Sequence, residues 1–161
     1  MTTRYAGLLL ALPLGLFLLY GCTPRPAPRN VAKHAHSHPE HGPHGGCLIE
    51  WGDEEYHGEF TVDHGKKETV VYILDETAAK APDLKPEDIT DLVVVIKNVT
   101  PQATIELKHD AARSGEKGIA FVGTHDALQK EMEFKGELSG KVKGKPYVHD
   151  FTEKAGHDHK H

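Results

Sequence analysis

From Tyr56 to Phe151 the apolar side chains recur mostly at every second residue, and that period restricts the chain to strands rather than helices. Ala103, Ile105, Leu107 and His109 alternate with Thr104, Glu106, Lys108 and Asp110; Met132, Phe134, Gly136 and Leu138 alternate with Glu133, Lys135, Glu137 and Ser139. Successive side chains of a strand point to opposite faces, so each run carries one wet face and one face turned toward a core. Val70 to Leu74 and Leu92 to Ile96 are instead unbroken apolar runs rich in β-branched residues, the pattern of strands covered on both faces or central in a sandwich. Together with Tyr56 to Val62, Ile119 to Val122 and Lys145 to Phe151 they make about seven strands. Turn signals at His64-Gly65, Ser114-Gly115 and Gly140 to Gly144 separate several of them. The pattern predicts an all-β fold, an antiparallel immunoglobulin-like β-sandwich flanked by disordered His-rich tails. Glu76 to Asp91, with Pro82 and Pro86, is the longest connection and is expected to hold one helical turn.

What precedes the strands sets the compartment. Met1 to Tyr5 contains one cation, Arg4, and Ala6 to Tyr20 is almost wholly apolar before Gly21-Cys22. That is the length of a secretory h-region, short for a spanning helix. Leu19-Tyr20-Gly21-Cys22 resembles a bacterial lipobox, so residues 1–21 read as a lipoprotein signal peptide and Cys22 as the acylated anchor. Two or more acyl chains hold a protein stably where one is marginal. The chain is therefore expected to be exported and lipid-anchored, facing the periplasm or the cell exterior. Residues 22–45, with Pro24, Pro26, Pro28, Pro39 and Pro43 and few large apolar side chains, read as a tether too polar to fold by itself. Residues 46–151 form the sandwich and 152–161 a second polar tail.

The 161-residue chain has a formal charge of -5, which becomes -6 once Arg4 leaves with the leader, and no clustered basic surface. Nucleic acid is not an expected partner, because phosphate neutralisation needs such a surface. Of two cysteines only Cys47 lies beyond Cys22, so an intramolecular disulfide between unmodified thiols is excluded after acylation, and stability falls to the packed core.

Histidine concentrates at the two ends. Five of the 13 histidines, His34, His36, His38, His41 and His44, fall between positions 34 and 44, and His157, His159 and His161 are among the last five residues. Neutral imidazoles donate nitrogen lone pairs to Zn, Cu or Ni. In an extended chain alternate residues share a side about 6 to 7 Å apart, so modest bending brings neighbouring pairs onto one ion. A third candidate is Cys47 with His57 and Glu59: on a strand His57 and Glu59 project to one face, opposite Tyr56 and Phe60. A Cys/His/Glu set would suit Zn or Cu if Cys47 lay close. The plainer alternative is a packed Cys47 and a solvated His57.

His44-Gly45-Gly46-x-x-Ile49-Glu50-x-Gly52, then Tyr56-His57-x-Glu59, Val70-x-Tyr72-x-Leu74-Asp75 and Gly144-Lys145-x-Tyr147 with a His-rich end resemble a group of bacterial, planctomycete-like envelope lipoproteins. The resemblance covers most of the mature chain. It implies an envelope address, a small β-domain and histidine-rich flanks, and brings no activity with it.

Motifs of catalysis are missing: there is no Gly-rich phosphate loop, no nucleophile elbow and no H-E-x-x-H helix, and the acidic residues are scattered. The chain is not expected to be an enzyme. The expected function is labile binding of Zn, Cu or Ni through the His-rich segments, as buffer, scavenger or donor to an envelope metal transporter or metalloprotein. The alternative from another class is a structural or protein-interaction sandwich whose histidines serve only as spacer.

Overall fold

A computed structural model describes residues 41–154. Nine strands appear in this span: β1 (Cys47–Trp51), β2 (Tyr56–Asp63), β3 (Glu68–Leu74), β4 (Ile89–Ile96), β5 (Ala103–Glu106), β6 (Lys108–His109), β7 (Ile119–Thr124), β8 (Phe134–Val142) and β9 (Lys145–Glu153). One sheet has the order β1-β2-β3-β7-β6, the other β5-β4-β8-β9, and every pairing is antiparallel. With β1 set aside, β2 to β9 follow the immunoglobulin order, A-B-E-D in one sheet and C′-C-F-G in the other. β1 is an additional strand hydrogen-bonded outside β2.

The core lies between the sheets. Ile49, Trp51, Phe60, Val71, Ile73 and Phe121 meet Val94, Ile96, Ile105, Phe134, Leu138 and Phe151 there. Phe60 and Phe151 pack across the gap with ring centroids 4.6 Å apart, and Trp51 stacks on Tyr147 at 5.4 Å. Burying a large apolar side chain contributes about 1.5–3 kcal/mol. No disulfide is needed to explain a stable domain.

Several expectations are refined. The Ala103 to Asp110 run keeps its alternation, with Ala103, Ile105 and Leu107 buried, but changes sheet midway: β5 pairs with β4, and β6 pairs with β7. A period of two does not reveal such a change of partner. β1 was not expected as a strand, although Cys47, Ile49 and Trp51 point inward, because outward Leu48 blurs the alternation over only five residues. The long connection holds a 3-10 turn at Pro86–Asp88, and a second lies at Asp126–Gln129. At the boundaries, β9 runs to Glu153, and residues 41–45, read as tether, pack onto the sandwich.

Candidate functional site

β2 turns His57, Glu59 and Thr61 to the outer face of the five-stranded sheet, beside Leu74, Tyr72 and Val70 of β3 in register. A glutamate there would ordinarily reach into water. Glu59 is instead wholly buried, because residues 41–46 fold back over it. Oε1 accepts N–H groups from His44 at 2.7 Å and Gly46 at 2.9 Å, and Oε2 lies 2.8 Å from Nδ1 of the His44 ring. Three partners answer the desolvation of a buried carboxyl, which costs several kcal/mol when it is left unmet.

The covering turn is encoded by small residues. The N–H of Gly42 donates to the Gly46 carbonyl and the N–H of Gly45 to the Gly42 carbonyl, each at 3.0 Å. A Cβ on Gly42 would overlap the Glu59 carboxyl, and one on Gly46 would overlap the Phe60 carbonyl and the Thr61 methyl. Gly45 adopts φ +83°, where a side chain is disfavoured. The His44 ring lies flat on Tyr72, with centroids 3.6 Å apart and planes 7° apart. Its side chain is 20% exposed. Among the described residues Nε2 has no hydrogen-bond partner and is not a buried atom.

Beside His44 opens a cleft of about 320 Å³, lined by Thr61, Asp63, Lys66, Glu68, Tyr72 and Arg113 among others. Its charges are already paired: Lys66 with Asp63 and Arg113 with Glu68, each at 2.7 Å. The Lys66 hydrogen bond holds Asp63 below the usual carboxyl range, and the Glu68 bond raises Arg113.

The Cys47/His57/Glu59 set does not converge. Cys47 pairs with Phe60 in register and enters the core between the sheets, whereas His57 and Glu59 share the outer face as their spacing requires. Burial, and after it the Glu153 carboxyl, push the Cys47 thiol well above its ordinary range, away from the thiolate that binds soft metals. The expectation of a solvated His57 is corrected as well: the ring is fully buried, with Nδ1 3.0 Å from the Asp75 carbonyl. His41 forms a bridge to Cys47 at the start of the covering turn. Cys22, His34, His36, His38, His157, His159 and His161 lie outside the described residues. Among the described residues no three His, Cys, Asp or Glu side chains are grouped to hold a metal.

Sequence reasoning missed Tyr72, Gly42 and Gly46 as parts of one assembly. The His-Gly-Pro-His-Gly-Gly spacing carried a signal, since glycines flanking a histidine in a proline-rich segment mark a shaped turn. Fold and site together define an immunoglobulin-like sandwich whose lead-in is fastened by an imidazole–carboxyl clasp. Comparison with protein-family models, curated proteins and solved structures finds no match.

Proposed function

We propose that the protein is a lipid-anchored envelope protein that binds Zn, Cu or Ni in labile fashion through its His-rich segments, as a buffer, scavenger or donor. The observation that carries this reading is His44, the last histidine of the tract. One ring nitrogen is held by a buried carboxyl and the other is open, an arrangement that recurs where histidine ligates metal. The lipobox ending at Cys22 and the density of histidine on both sides of the sandwich support the compartment and the ligand class. Imidazoles that bind a metal without a closed cage exchange it quickly. That suits storage and hand-over, whereas catalysis needs a fixed, partly open coordination sphere.

Calorimetric titration of the mature chain with Zn²⁺, Ni²⁺ and Cu²⁺ tests this. Removing residues 30–40 together with 156–161 is expected to take away most bound equivalents while the melting of the sandwich persists. Full stoichiometry after both truncations overturns the reading. For the anchor, mass spectrometry of the native amino terminus is expected to find an acylated Cys22.

A further inference from the structure

We infer that Glu59 acts as the positioning residue of a metal ligand, fixing His44 in the tautomer whose Nε2 lone pair is free to coordinate and making that nitrogen a coordinating atom of the folded body. The inference rests on the metal-binding reading above and assigns it an atom. A neutral imidazole carries one N–H and one lone pair, and an ionised carboxyl group only accepts. Oε1 of Glu59 accepts two backbone N–H groups, and the 2.8 Å contact sets Oε2 where it can accept the ring proton from Nδ1. The lone pair is left on Nε2, which is open.

A second constraint is independent of the first. Parallel stacking on Tyr72 at 3.6 Å sets the plane of the ring, while Glu59 sets its rotation within that plane. The Gly42 and Gly46 positions bring the backbone so close that His44 has little freedom to swing away. Ordering a side chain costs up to about 2 kcal/mol. At His44 folding has met that cost already, so the first metal ion is expected to nucleate there, with water or further imidazoles filling the other positions. Asp63 and Glu68, the acidic side chains of the neighbouring cleft, are engaged by Lys66 and Arg113. Glu59 is thus assigned an orienting role in place of the ligand role its spacing with His57 suggested.

Nitrogen NMR of the ¹⁵N-labelled mature chain at neutral pH tests this without any variant. For His44 a protonated Nδ1 and an unprotonated Nε2 are expected before metal is added, and Zn²⁺ should move the Nε2 resonance first. In calorimetry His44→Ala should abolish the tightest equivalent and leave weaker ones. Glu59→Gln should weaken that equivalent by about 10–100-fold, the usual effect of losing an outer-shell partner. If Glu59→Gln does not fold, the wild-type spectrum and His44→Ala still decide. A proton on Nε2, or an unchanged tightest equivalent in His44→Ala while the rest of the chain still binds, overturns the inference and spares the tail reading. Absence of any binding removes both.

Discussion

β3 and β4 lie in opposite sheets and carry similar runs, Val70-Val71-Tyr72-Ile73-Leu74 and Leu92-Val93-Val94-Val95-Ile96. All five residues of the first run are buried, and its outward Val70, Tyr72 and Leu74 form a small apolar cluster with Ala120. In the second only Leu92, Val94 and Ile96 are buried; Val93 and Val95 stay partly in water. Cover comes from outside the strands. On the five-stranded side the turn at 41–46 closes over Glu59, and Gly118 lies against Leu74 and Tyr72. The four-stranded side exposes Val148 at 63%. An unbroken apolar run therefore establishes a strand, while the number of its buried faces is settled by a polar side chain elsewhere that holds down a loop.

The covered face should break most severely at its polar anchor. Glu59→Ala leaves two backbone N–H groups and an imidazole without their acceptor beneath a closed turn. Removing one member of a buried charged assembly costs about 3–5 kcal/mol. Urea unfolding of the mature chain is expected to show a loss of that order, together with a higher proteolysis rate near residue 45. A loss under about 1 kcal/mol would mean that the turn is held by something other than Glu59.

Gly46→Ala probes the same cover by shape. The added methyl would meet the Phe60 carbonyl, a backbone atom with little freedom to retreat. Overpacking of this kind costs about 1–3 kcal/mol. Chemical denaturation should place the variant between Glu59→Ala and the wild type, and wild-type stability would show that the turn sits higher above β2 than described.

Particular residues show how far the chain could be read from its letters. Phe134, Gly136 and Leu138 face inward and Lys135, Glu137 and Ser139 outward, because one wet face and one dry face leave a local trace at every step. The two-sheet architecture followed from such traces. The shared face of His57 and Glu59 followed as well, since it is a property of one strand. The depth of that face did not, because the residues that bury it are 13 to 18 positions away. Cys47 is separated from both by the thickness of the sheet, so the plainer reading of a packed cysteine holds for it. His44 looked like one more member of a polar tract. Only the register of β2 with β3, which sets Glu59 beside Tyr72, gives it a place.

The rim between the two faces gives a smaller effect with a definite sign. Glu55, in the β1–β2 turn, accepts hydrogen bonds from Lys145 and Tyr147 of β9, and these hold its carboxyl below the ordinary range. A carboxyl depressed on folding adds stability above its unfolded value, and that contribution disappears as pH falls through the folded value. Glu55→Gln should therefore lower the melting temperature slightly at pH 7 and progressively less on acidification. A difference that grows toward acid would have the wrong sign. Because the side chain is 43% exposed, solvent screening keeps the effect below those of Glu59 and Gly46.

The smallest change is expected on the open face, and it sharpens the comparison when set against its counterpart. Val148 stands beside Ser139 and, one strand further, Val93 on the outer side of the four-stranded sheet. Val148→Thr keeps the β-branch that suits a strand and places a hydroxyl in water, so denaturation should shift by less than about 0.5 kcal/mol. Val70→Thr makes the same chemical change on the covered face, at a residue 5% exposed. There the hydroxyl must be desolvated beside Val122 and Thr61, and the expected loss is about 1–3 kcal/mol. Equal losses at the two positions would mean that the outer faces are equally wet, and the clasp would then have no burial to explain. Unequal losses would establish in solution that one run of valines is roofed and the other is not.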